Sequence, residues 1–142
     1  MNTNRYKIHI PLNSACQSVS IRVNSWFMNV FDTIPQNSRE EIFTELLKTD
    51  NVRIERIVSF GQSSPSGFWY DQEESEWILL LEGSASLTFE QGETIDLKPG
   101  ESLNIPAKQR HRVEKTDRKK RTIWLAVFYP PAGNDELAQK HV

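Results

Sequence analysis

The chain has 142 residues, 37% of them hydrophobic and 25% charged, with 17 Lys and Arg against 19 Asp and Glu for a formal net charge of -2. That length suits one domain with one core and is short for two, and so balanced a charge creates no field toward phosphate backbones, which excludes nucleic acid as an expected partner. No apolar run approaches the roughly 18 residues that span a bilayer, the N-terminus lacks the apolar centre of a secretion signal, and the lone Cys16 has no disulfide partner, so the expectation is a cytoplasmic protein away from membranes.

Residues 1–37 read as a polar arm with short alternating pieces, Tyr6, Ile8, Ile10 and Val19, Ile21, Val23, that suit edge strands, the first interrupted by Pro11. The apolar cluster around Trp26 and Phe27 needs a cover, either the barrel described below or a second subunit. Ser38 followed by Glu41 has the spacing of a capping box, and Ile42, Phe43, Leu46 and Leu47 recur at one-face helical spacing. These features predict a helix over 38–49 packed on a sheet.

From Val52 onward the pattern changes to short strands: Val52 to Phe60, Phe68 to Asp71, Trp77 to Leu81, Ala85 to Phe89, Thr94 to Leu97, Leu103 to Ile105, Arg110 to Lys115 and Thr122 to Tyr129. Turn signals separate them at Glu82–Gly83, Gln91–Gly92, Pro99–Gly100 and the charged loop Asp117 to Arg121. Closely spaced strands of this kind indicate an all-β sandwich or barrel over 50–131, followed by a polar tail over 132–142. Alternation puts Glu76, Ile78 and Leu80 on one strand face and Trp77, Leu79 and Leu81 on the other.

Two spaced motifs stand out in this region. Glu76 is followed after six residues by Gly83, and Gly100 is followed after five by Pro106, with His111 five positions further on. In that spacing and order, with the hairpin between them, the chain resembles the cupin superfamily. The resemblance implies a double-stranded β-helix, a jelly-roll-like barrel whose mouth holds one small-molecule or metal site, and a homodimer. It also implies that Glu76 and His111 face one site.

In typical cupins a His-x-His pair before the glutamate completes a divalent-metal centre. Here a gap of four to Glu76 puts Trp69 and Asp71 at those positions, and a gap of three puts Tyr70 and Gln72 there; neither contains histidine. In the first register Asp71, Glu76 and His111 form two carboxylates and an imidazole suited to Fe(II), Mn(II) or Zn(II), with Trp69 as a wall. In the second register Tyr70 and Gln72 line the substrate pocket. Without a metal, His111 acts as acid or base within a hydrogen-bonded network. Three functions follow: a divalent-metal-dependent enzyme acting on a small polar metabolite, a metal-free module that binds or senses a small-molecule ligand, and a dimeric assembly module. Arg110 and Arg112, on alternate positions to His111, are expected at the surface.

Overall fold

The structure is a computed structural model that describes residues 27–132. Within them run eight strands: β1 (Ile42–Lys48), β2 (Arg53–Ser59), β3 (Ser75–Glu82), β4 (Ala85–Phe89), β5 (Thr94–Leu97), β6 (Ser102–Ile105), β7 (His111–Thr116) and β8 (Thr122–Tyr129). They form a five-stranded sheet of order β1-β2-β8-β3-β6 and a three-stranded sheet of order β5-β4-β7. Every pairing within the two sheets is antiparallel.

Alternation along the strands builds the core between these sheets. Ile78 and Leu80 of β3, Trp124, Ala126 and Phe128 of β8 and Ile105 of β6 meet Ala85, Leu87 and Phe89 of β4 and Leu97 of β5. The fold is all-β, as the strand pattern implies. No helix among the described residues is long and apolar enough to cross a membrane.

The helix expected over 38–49 does not form. Its second half is β1, paired with β2 from Ile42 opposite Val58 to Lys48 opposite Arg53. Ser38 does not cap a helix; its Oγ accepts the amide of Glu40 two residues on, in a local turn. Two physical causes outweigh the capping pattern. The free edge of β2 offers a row of backbone groups that β1 satisfies, and a register shift between Glu45 and Leu47 breaks the two-residue period of the apolar positions. That break leaves Ile42, Phe43, Leu46 and Leu47 with a spacing that imitates a helical stripe.

The segment expected as a strand over Phe68 to Asp71 contributes only one isolated bridge, between Tyr70 and His111. The alternating pieces between Tyr6 and Val23, Trp26, Cys16, His9 and His141 lie outside the described residues.

The outer face of the large sheet is held by a charged group. Arg56, only 3% exposed, donates to the carbonyls of Val30 (3.0 Å) and Asp32 (2.7 Å) and to Thr44 Oγ1 (3.2 Å), tying the segment before β1 to β1 and β2. Burial, then the neighbouring Arg121, draw its pKa below the ordinary arginine value, opposed by Asp32. Arg56→Ala is expected to lose about 2–4 kcal/mol of stability, because charged hydrogen bonds are deleted and buried acceptors are left unpaired. The shift of the urea midpoint measures this.

The β3–β4 turn imposes a second constraint. Gly83 has φ +84, and a Cβ there would lie 2.6 Å from the Arg121 carbonyl oxygen and 2.8 Å from Thr122 Cα, backbone atoms that cannot swing aside. Gly83→Ala therefore combines left-handed strain with a backbone clash, and a loss of about 2 kcal/mol or more is expected in the same assay.

Candidate active site

The large and small sheets each contribute one member of a buried pair. Glu76 of β3 is 8% exposed and His111 of β7 is 4% exposed, with His111 Nε2 3.5 Å from Glu76 Oε2. The other ring nitrogen, Nδ1, lies 2.9 Å from the Gln109 carbonyl oxygen. A carbonyl only accepts, so Nδ1 carries a hydrogen and a neutral His111 presents its lone pair at Nε2. A lone pair facing a carboxylate oxygen repels it. The pair is therefore satisfied when one proton lies between the two groups.

Gln72 completes this cluster: its Nε2 donates to the same Glu76 Oε2 at 2.7 Å. Gln72 itself is pinned through its carbonyl, which accepts the Lys108 amide at 2.8 Å. Tyr70 is bound to β7 by two backbone hydrogen bonds, from its amide to the His111 carbonyl (2.8 Å) and from the His111 amide to its own carbonyl (3.3 Å). Its ring stacks on the imidazole at 5.4 Å and 23°. Burial, then the charges of Glu41 and Glu76, push the Tyr70 hydroxyl up to about 12, so it stays a neutral donor at physiological pH.

These groups line an open pocket whose empty space, with the open solvent at its mouth included, is about 550 Å³. Phe43, Ile57, Trp124 and Phe128 supply apolar wall, and Glu41 and Glu55 bring two further carboxylates. An apolar hollow with a few convergent polar groups suits a small organic ligand.

Four of the residues singled out in the sequence, Tyr70, Gln72, Glu76 and His111, line this cavity together. Asp71 and Trp69 do not join them, contrary to the expectation for the first register. Asp71 is exposed, 3.9 Å from Arg110. The Trp69 ring lies 6.0 Å from the Arg110 guanidinium and 5.8 Å from that of Arg112. The cause is the alternation of extended chain: the Tyr70–His111 bridge sets Tyr70 and Gln72 inward, so Trp69 and Asp71 meet the arginines that alternate with His111. Arg110 also pairs with Glu90, and Arg112 lies 3.2 Å from Glu114.

With Asp71 outside, the strong donors at this centre are one carboxylate and one imidazole. Among the described residues no group of three or more His, Cys, Asp or Glu is placed to hold a metal ion. Catalytic zinc sites use three protein ligands, so this donor set does not fit a tightly held Fe, Mn or Zn ion.

Glu55 and Ser59 were missing from the residues picked out by sequence, and Glu41 was picked out only as part of a capping box. Glu55 and Ser59 share the Ile57 face of β2, and Glu41 immediately precedes β1. Read as a strand, 41–43 would have placed Glu41 and Phe43 on one side.

The titration of His111 is shifted by its surroundings. Burial alone would lower the His111 pKa, but the hydrogen bond to Glu76, the Gln109 carbonyl and the Glu76 charge together raise it above the ordinary histidine value of 6.5. A raised histidine pKa contributes stability in full below about 6.5, and loses it as pH rises through the higher folded value. In an NMR titration the imidazole midpoint is expected above 6.5, falling below 6.5 in Glu76→Gln, where burial acts without the carboxylate. The stability gap between the two proteins should be wider at pH 6 than at pH 9.

Comparison with known proteins agrees with this architecture. A search of curated proteins found none that matches. Among solved structures, a "putative mannose-6-phosphate isomerase" of Ralstonia eutropha JMP134 is 42% identical, with a TM-score of 0.71 over 73% of this chain and 97% of that one. A cupin superfamily protein of Desulfitobacterium hafniense DCB-2 has 23% identity and a TM-score of 0.58, over 68% and 84% of the two chains. The polyketide cyclase RemF of Streptomyces resistomycificus has 26% identity and a TM-score of 0.55, over 64% and 66%. The cupin domain model matches residues 57–128, which run from β2 to the end of β8 and include both Glu76 and His111. The chain belongs to the cupin family.

Proposed function

We propose that this protein takes a small polar metabolite into the barrel cavity and acts on it by hydrogen bonding and proton transfer at the His111–Glu76 pair, without a metal held by these residues. The observation behind this reading is that Glu76 Oε2 is engaged by Gln72 and His111 together. Gln72 and Tyr70 fall, in the gap-of-three register, where other cupins place metal-binding histidines. One position holds an amide that donates to Glu76, and the other a ring stacked on His111.

Such a pair can take a proton from a ligand carbon or hydroxyl and return it. The pair's own proton, held between Nε2 and Glu76, goes to one ligand atom and is replaced by a proton from another, while Gln109 keeps the ring oriented through Nδ1. The Tyr70 hydroxyl is available to donate to a ligand oxygen. Proton shuttling between adjacent carbons is the chemistry of a sugar isomerase, and the description of the Ralstonia protein as a mannose-6-phosphate isomerase is compatible with it. A binding module that uses the same groups for recognition alone is the second reading, favoured by the apolar share of the cavity wall.

Elemental analysis of protein purified without chelator or affinity-tag metal tests the metal-free reading. Substoichiometric Fe, Mn and Zn are expected, with no rise in melting temperature when these ions are added, and Asp71→Asn should match the unmutated protein. A stoichiometric transition metal that is lost in both His111→Ala and Glu76→Gln would overturn the proposal.

A further inference from the structure

Glu41 stands apart from the cluster on β3 and β7, yet it lines the same cavity. A chain of buried donors holds it: the Trp124 indole N–H donates to Ser59 Oγ at 3.2 Å, and the Ser59 hydroxyl donates to Glu41 Oε1. Ser59 is fully buried and Trp124 nearly so. The carboxylate is thus aimed by the core rather than left loose at the rim.

The other two cavity carboxylates each have a cationic or protonatable partner, Arg53 for Glu55 and His111 for Glu76. Among the described residues Glu41 has no ion pair, and no Lys or Arg lines the cavity. Arg53 itself is committed to Glu55 and Glu74, with its guanidinium 3.9 Å from the Phe128 ring centroid. Around Glu41 the wall includes Phe43, Tyr70 and Trp124, whose ring faces attract cations.

Building on the small-molecule reading above, we propose that Glu41 is the anchoring carboxylate of the cavity and that the ligand it selects carries a protonated amine on a small apolar or aromatic body. The carboxylate supplies a charge-assisted acceptor, Ser59 fixes its orientation, and the aromatic wall accommodates both cation and body. Burial raises the Glu41 pKa against the Ser59 hydrogen bond, so an arriving cation relieves a charge that no Lys or Arg among the described residues pairs with. A phosphate ester would meet the reverse situation: a dianion entering among carboxylates with no Lys or Arg lining the wall and with His111 already paired to Glu76. The sugar phosphate in the description of the Ralstonia protein is therefore a poor match to this cavity.

Three probes of one shape and different charge test the inference: benzylamine, benzyl alcohol and benzoate, titrated at pH 7 against the full chain with NMR shifts of cavity residues as the readout. Benzylamine is expected to bind about tenfold more tightly than benzyl alcohol, the magnitude of one charge-assisted hydrogen bond, with benzoate the weakest. Glu41→Gln should remove that advantage and leave the melting temperature unchanged or raised, since it deletes a half-buried charge that has no ion-pair partner among the described residues. Ser59→Ala, which keeps the carboxylate but frees it, should weaken benzylamine and leave benzyl alcohol unaffected. Benzoate binding as tightly as benzylamine, or an amine preference that survives Glu41→Gln, would overturn the ligand class and leave the small-molecule reading standing. If none of the three probes shifts cavity resonances, the small-molecule reading fails, and this inference with it.

Discussion

The bridge between Tyr70 and His111 closes the segment 60–74 onto β7, and because neighbours in extended chain point to opposite sides, it sets the direction of every side chain from Trp69 to Gln72. A shift of one residue would exchange the two sets. Tyr70 and Gln72 would then face the arginines, and an indole and a carboxylate would face the imidazole. The second tie, from the Lys108 amide to the Gln72 carbonyl, holds the same phase two residues further along. The chemical character of the centre thus rests on a few main-chain hydrogen bonds between a loop and the small sheet.

The inward phase has an electrostatic consequence. Glu76 and His111 are drawn from different sheets and both are buried, where a neutral imidazole lone pair and a bare carboxylate cannot comfortably coexist. Gln72 and Gln109 resolve this with complementary roles: one donates to the carboxylate, and the other accepts from the far side of the ring. Stacking by Tyr70 and the tilted contact with Phe89 at 6.1 Å confine the imidazole further.

The large sheet is organised by charge on both faces. Outside, Arg56 gathers carbonyls of the preceding segment and the Thr44 hydroxyl of β1, so the strand that completes the sheet is fastened by hydrogen bonds as well as by its ladder. Inside, residues at the same end of the sheet, Glu41 and Phe43, reach the cavity. Placement of β1 therefore does two things at once. It caps the edge of β2, and it brings to the cavity a carboxylate, Glu41, besides the Glu76 of the cluster on β3 and β7.

Much of this was legible in the primary structure. The strands from β2 to β8 follow from alternation and from glycines at turns, and the pairing of Glu76 with His111 follows from the spacing of two motifs that the cupin resemblance makes meaningful. These signals are local: a two-residue period and a required positive φ, such as that of Gly83, are properties of adjacent residues. Three matters were decided only in the folded chain. Whether Ile42 to Lys48 became helix or strand depended on the open edge of β2, a partner distant from the capping pattern that argued for helix. Whether Asp71 or Gln72 approached Glu76 depended on the Tyr70–His111 bridge, since both registers have the same local pattern. That Glu41 belongs to the cavity depended on Ser59 and Trp124, residues 18 and 83 positions away in the chain. In each case competing local arrangements were close in energy, and the choice fell to a long-range backbone or side-chain hydrogen bond whose partner a reading of neighbours cannot identify.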